Sequence, residues 1–171
     1  MSEAVVSFEP RYLNQVTEIF FESSTKKEFK DEEEKKRFFE KYLGFYLREY
    51  PDLAFVFVKE GKVLGYVVGA RGSEEKGIDA LQPHLQVFKD HFKKYPAHLH
   101  INCHFESRGL GVGSQLVKEI ERRLKLQNIS GLHIMTGIDS PNQNFYKRLG
   151  FDFQIALEFH GSPILFMGKS L

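Results

Sequence analysis

The sequence predicts one α/β domain spanning residues 1–171 and built on a mixed sheet. Three observations carry that expectation: an apolar hairpin from Leu53 to Ala70, a strand, glycine turn, helix and strand in succession from Ala97 to Thr136, and two amphipathic helical patterns ahead of both. A hairpin supplies antiparallel strands, whereas a strand-helix-strand run without a hairpin signal supplies a parallel crossover. The hairpin is apolar on both faces, which asks for helices on both sides of the sheet.

Taken in order, Ala4 to Phe8 reads as a short strand ended by Glu9-Pro10. Leu13, Val16, Ile19 and Phe20 fall at helical spacing within Tyr12 to Phe21, and Phe38, Tyr42 and Phe45 repeat the pattern within Lys30 to Arg48. The acidic run Asp31 to Glu34 suits the positive end of that second helix. Two β-rich runs around Glu60-Gly61 form the hairpin. Leu81, Leu85, Phe88 and Phe92 then predict an inserted helix, closed by Tyr95-Pro96.

From Ala97 the period becomes two. Leu99, Ile101, Cys103 and Phe105 alternate with His98, His100, Asn102 and His104, which is a strand with an inward and an outward face. After the glycine turn, Leu116, Val117, Ile120 and Leu124 mark a helix running to Leu126, and Gly131 to Thr136 reads as the next strand. Ser140-Pro141 predicts a helix N-cap followed by proline, and Leu149-Gly150 a glycine stop. Strands over Phe151 to Glu158 and Ile164 to Met167 finish the chain.

A composition of 42% hydrophobic and 14% aromatic residues is enough to bury a core in a chain of 171. Twenty-four Lys and Arg balance twenty-three Asp and Glu, so no global field recommends nucleic acid or an anionic membrane as partner. A single cysteine excludes an internal disulfide. The start, MSEAVVSFEP, carries neither the apolar stretch of a secretory signal nor the glycine that myristoylation requires. No apolar run approaches the ~20 residues of a membrane helix. The expectation is a soluble cytoplasmic protein, monomer or homodimer, with a small-molecule partner.

Arg108-Gly109-Leu110-Gly111-Val112-Gly113 lies between a strand and a helix, where backbone N–H groups and the helix dipole favour an anion. A plain tight turn would use the same glycines. The turn lacks the Lys-Ser/Thr pair of a Walker loop, and it does not sit in a first crossover with an acidic residue about 20 positions on, as a dinucleotide fold would require.

These residues resemble the GNAT superfamily of N-acetyltransferases. Arg108, Gly111 and Gly113 match that family's acyl-CoA loop, and Phe145-Tyr146-Lys147-Arg148-Leu149-Gly150-Phe151 matches its second motif at the family's separation. The element order agrees over nearly the whole chain. Tyr95 to Ile101 and Gly161 to Leu171 are further similar to bacterial acetyltransferases related to the acetyltransferase-like domain of O-GlcNAcases. The resemblance implies a GNAT fold with a mixed, mostly antiparallel sheet of six to seven strands, helices on both faces and one inserted helix. It also implies acetyl-CoA as cosubstrate and a primary amine of a small molecule or peptide as acceptor, joined by direct attack in a ternary complex. A non-catalytic acyl-CoA-binding or sensing module with the same fold is the alternative.

By that resemblance, the pantetheine arm pairs with the strand around Ile101, Asn102 and Cys103, and the pyrophosphate takes the N–H groups of Arg108, Gly109, Leu110, Gly111, Val112, Gly113 and Ser114. Asp139 stands where the family often has Asn, with Asn142 a possible replacement contact. Lys118, Lys147 and Arg148 are the basic side chains near these motifs. Tyr146 holds the position of the acid that protonates the departing thiolate; it is otherwise an aromatic core residue beside Phe145. His100 and His98 are the candidate bases, with a structural role as the alternative, since histidine titrates near working pH and a lysine-like amine must shed a proton held with a pKa of about 10.4. The histidines come without paired Cys or carboxylates, so no metal is expected. Cys103 is either a covalent acyl acceptor or a small buried hydrophobe.

Overall fold

The computed structural model describes residues 3–75 and 77–171. Its seven strands lie in the order β1-β2-β3-β4-β5-β7-β6. They are β1 (Glu3–Ser7), β2 (Ala54–Lys59), β3 (Lys62–Ala70), β4 (Ala97–Cys103), β5 (Gly131–Gly137), β6 (Phe153–Phe159) and β7 (Ser162–Ser170). The mixed sheet and the GNAT-like element order expected from the sequence are both present. The chain divides into two compact units, one of Met1–Gly69 with His100–Arg123 and one of Ala70–Leu99 with Leu124–Leu171.

In the first unit, β1 pairs antiparallel with β2, and β2 with β3 through a register shift between Phe57 and Val58. Helix α1 (Leu13–Ser23) buries Val16, Ile19 and Phe20. Its Gln15 Oε1 accepts the Val63 N–H at 2.8 Å, which ties the helix to β3. Helix α2 (Glu32–Phe39) starts at the acidic run: the Asp31 carboxylate accepts the Glu34 N–H at 2.7 Å, and Glu34 reaches back to the Lys30 N–H at 2.7 Å.

The single helix expected over Lys30 to Arg48 is interrupted. After α2, one π-helical turn covers Glu40–Gly44 before α3 (Phe45–Glu49). The interruption lies at Gly44, where an added Cβ would stand 2.8 Å from the Phe39 ring and 2.6 Å from Glu40 Oε1. Such one-turn π segments inside α-helices occur frequently at functional sites. Here Tyr42 and Tyr46 both come to rest against the His100 ring, with centroids 5.7 and 5.0 Å away.

Helix α5 (Val112–Leu126) packs its first turns on β3 at Gly65, whose missing Cβ would stand 3.0 Å from Val112 Cγ1 and 3.1 Å from Leu116 Cδ1. A larger residue there would lift the helix start, and with it the glycine turn, off the sheet. Val112, Leu116, Val117 and Ile120 are buried, as the helical spacing required.

In the second unit, β4 and β5 run parallel through Ala97↔Leu132 and His98↔His133, while β7 pairs antiparallel with both β5 and β6. The inserted helix is shorter and tighter than expected: a four-residue α4 (Ile78–Leu81) followed by a nine-residue 3-10 helix, Pro83–His91. Leu85 and Phe88 are three apart, which lines them up on one edge of a 3-10 helix, and both are buried. Helix α6 (Gln143–Arg148) begins later than the Ser140-Pro141 signal indicated, with Asn142 rather than Ser140 at its cap. Gln143 reaches back to the carbonyls of Gly137 and Ile138 and so keeps Ser140-Pro141 in the preceding turn. Gly150 does stop the helix, at φ 85°. Strand β4 also ends early. His104 donates its N–H to the Leu64 carbonyl at 2.9 Å and caps a 3-10 turn, Phe105–Ser107, so Phe105 leaves the inward row and is 63% exposed.

Candidate active site

The glycine turn belongs to the first unit. Gly109 and Gly111 adopt φ of 78° and 73°, and a Cβ at either would meet no atom of the protein within 4 Å. Their glycine identity therefore follows from a left-handed backbone and from open space above it, not from crowding. The first helical bond of α5 runs from the Gln115 N–H to the Gly111 carbonyl at 3.1 Å. The N–H groups of Val112, Gly113 and Ser114 accordingly precede the ladder, at the positive end of a 15-residue helix. Two of the N–H groups expected to serve an anion are spent inside the turn: Arg108 donates to the Phe105 carbonyl at 3.3 Å and Leu110 to the Ser107 carbonyl at 3.1 Å. Arg108 is exposed, and Leu110 presents an apolar side chain that is 57% exposed.

The half of β4 in this unit carries His100, Ile101, Asn102 and Cys103, all half-buried. His100 Nε2 lies 3.3 Å from the Tyr46 hydroxyl. Asn102 Nδ2 donates to the Tyr66 hydroxyl at 2.7 Å, and burial pushes the Tyr66 phenol upward. The Cys103 thiol is pushed up to about 11 by burial, against a smaller lowering from Ser107. A thiol held protonated is a poor nucleophile, which favours its reading as a small apolar neighbour of Gly65, 3.0 Å from the position of that glycine's absent Cβ. Glu106, just before the turn, pairs with Lys62, whose ammonium holds its carboxyl below the ordinary range.

The second unit holds the remaining predicted residues. His98, on β4, is 3% exposed and sits 2.6 Å through Nδ1 from Ser73 Oγ. Ser73 Oγ also lies 3.4 Å from His133 Nε2, and His133 Nδ1 lies 2.6 Å from the Tyr95 carbonyl. Tyr146 is 7% exposed on α6, with its ring edge-on to Phe145 and Phe151 at 5.1 and 5.5 Å. Asp139 is exposed in the turn after β5, and Asn142 Oδ1 accepts the Thr136 hydroxyl at 2.9 Å.

Tyr42, Tyr46 and Tyr66 in the first unit, and Ser73 and His133 in the second, carry no motif in the sequence, and each contacts a candidate residue of its own unit. Only their partners, 25 to 60 positions distant, reveal them. Among the described residues no three His, Cys, Asp or Glu side chains come together as a metal site, and no helix is long and apolar enough to cross a membrane.

Comparison with known proteins places this geometry in a family. No curated protein matches the sequence significantly. Among solved structures, the crystal structure of SsHAT superposes over 99% of this chain and 98% of its own, at 22% identity and a TM-score of 0.79. Ard1 from Thermoplasma volcanium aligns over 100% and 99%, at 16% identity and a TM-score of 0.66. Naa20 from Chaetomium thermophilum, solved in complex with a bisubstrate analogue, aligns over 98% and 86%, at 19% identity and a TM-score of 0.67. At such identities these structures speak for the fold. Residues 13–151 match the description of the acetyltransferase (GNAT) family, which is most of the chain, and the protein belongs to that family.

Proposed function

We propose that this protein is an acetyl-CoA-dependent N-acetyltransferase acting on a primary amine of a small molecule or peptide in the cytoplasm. One observation carries the reading: an exposed turn whose Gly109 and Gly111 take left-handed backbone with open space over them, leading directly into the N-terminus of α5. That is a cradle for a phosphate group that a side chain would fill. The N–H groups of Val112, Gly113 and Ser114 hold the pyrophosphate, helped by those of Gly109 and Gly111. Arg108 and Leu110, whose N–H groups close the turn, contribute side chain and shape instead.

The backbone of Ile101 to Cys103 pairs with the pantetheine amides, and Asn142 or Asp139 adds a contact near α6. For the transfer, His98 or His100 accepts the proton that the ammonium must lose, and Tyr146 supplies one to the departing thiolate; a phenol with pKa near 10 remains a donor at neutral pH. The kinship with O-GlcNAcase-related acetyltransferases belongs to the same proposal, resting on Tyr95 to Ile101 and Gly161 to Leu171.

Calorimetric titration with acetyl-CoA, followed by measurement of CoA release with a panel of amines, tests the reading. Binding with release on at least one amine supports it. Binding without turnover on any amine makes the protein an acyl-CoA-binding module, and absence of binding overturns the reading of the loop.

A further inference from the structure

Strand β6 ends the sheet, with β7 on one side and, among the described residues, no strand on the other. Its pairing with β7 runs without a shift from Phe153↔Gly168 to Phe159↔Ser162. The turn between the two strands is His160 and Gly161, both in left-handed backbone at φ of 47° and 78°. Such a two-residue turn makes Phe159↔Ser162 a pair that exchanges both backbone bonds, and the exchange recurs at every second pair. Phe153, Ile155, Leu157 and Phe159 thus spend their N–H and C=O groups on β7. Pro163 agrees with this phase, since it has no N–H and stands opposite Glu158, in one of the pairs between. The backbone groups of Gln154, Ala156 and Glu158 therefore point out of the edge.

Proteins guard such an edge with lysine, proline, a bulge or a very short strand. The strand at the other end of the sheet, β1, is five residues long and opens on a charged residue, Glu3. By contrast β6 has seven residues, FQIALEF, with no proline, no lysine and no shift of register. Its side chains alternate: Phe153, Ile155, Leu157 and Phe159 are half-buried, while Gln154, Ala156 and Glu158 are exposed. The two ends of the apolar row are held from within the second unit. Phe153 lies 5.2 Å from the rings of both His91 and Tyr95, and Phe159 lies 6.2 Å from that of His84.

We propose that the β6 edge is the contact between two copies of this chain, paired antiparallel about a two-fold axis at Ala156. The strand is self-complementary in that register. Ala156 meets Ala156 of the other copy, and Gln154 of each copy meets Glu158 of the other, so all three outward-facing residues find backbone partners. No like charges stand opposite each other, and the Gln154 amide has a carboxylate to donate to. The pairs between, Phe153 with Phe159 and Ile155 with Leu157, are those in which side chains approach most closely, so the two apolar rows join on one face. A slip by an odd number of residues would set outward groups against groups already bonded to β7, and an even slip leaves the end of each strand unpaired. A two-fold contact of this kind closes at two copies.

Sedimentation equilibrium of the full chain over a concentration series tests the proposal, with a monomer–dimer equilibrium as the expected result. Ala156→Lys sets two like charges opposite each other at the axis, from an exposed position, and raises the dimer dissociation constant about tenfold with unchanged circular dichroism. Cysteine variants read the register. At position 156 the facing Cα atoms stand about 5.5 Å apart, within disulfide range, so mild oxidation of Ala156→Cys links two copies and that of Gln154→Cys does not. If Ala156→Lys does not fold, this cysteine contrast decides. A monomer throughout the series, an assembly larger than two copies, or a dimer untouched by a folded Ala156→Lys overturns the proposal. So does Ala156→Cys that fails to crosslink, or that crosslinks no better than Gln154→Cys.

Discussion

The Asn102 amide nitrogen donates to the Tyr66 hydroxyl at 2.7 Å, so a side chain on β4 is oriented by one on β3 that is itself buried. Tyr66→Phe keeps the ring and removes the acceptor, leaving a half-buried amide without its partner. The expected cost is about 1–2 kcal/mol, measured by urea unfolding. A change below experimental error would mean that Asn102 satisfies its amide without Tyr66.

Gly111 and Gly161 share one backbone state, with φ of 73° and 78° and no atom within 4 Å of an added Cβ. Alanine at either position should therefore cost the same ~1–2 kcal/mol of left-handed strain. They differ in place: Gly111 ends the proposed phosphate turn, and Gly161 lies between β6 and β7. Calorimetry should show acetyl-CoA affinity reduced at least tenfold in Gly111→Ala and Gly111→Glu and unchanged in Gly161→Ala. Equal effects at the two sites would reduce the turn to a fold element.

Gly131 and Gly137, at the two ends of β5, make a second contrast. A Cβ on Gly131 would stand 2.3 Å from the Lys94 carbonyl, while one on Gly137 would meet nothing. Gly131→Ala must displace backbone and should destabilise by about 3 kcal/mol, whereas Gly137→Ala should stay within about 0.5 kcal/mol. Thermal melts of the two variants decide it.

Cys103 makes a pH prediction simple, because the chain has one cysteine. Its thiol is raised to about 11 from 9.0 by burial. In the folded state the thiol stays protonated where an unfolded chain would ionise. Stability owed to it is thus fully present below pH 9 and is lost as pH rises toward 11. Alkylation of the native protein should accelerate with a midpoint near pH 11, and the high-pH loss of stability should shrink in Cys103→Ala. A midpoint near 9 would show the thiol to be open to solvent.

Tyr146→Phe removes a hydroxyl from a ring that still packs on Phe145 and Phe151. If Tyr146 is the acid, kcat falls roughly 100-fold with little change in KM. Native kcat would leave Tyr146 with its packing role alone.

What the sequence determined by itself was whatever depends on near neighbours. The apolar hairpin, the crossover from β4 through α5 to β5, the acidic cap of α2 and the glycine stop at Gly150 follow from periodicity and from backbone states that few residues adopt. The left-handed turn at Gly109 and Gly111 was legible for the same reason. Tertiary structure decided the rest. A π turn over Glu40–Gly44 interrupts the second helical pattern, and α6 starts past Ser140-Pro141, where Gln143 bonds back to the carbonyls of Gly137 and Ile138. His98 and His100 look equivalent in an alternating strand. Yet one is enclosed with Ser73 and the other rests half-buried against Tyr42 and Tyr46, because hydrogen-bond partners far apart in sequence meet only once the sheet is assembled.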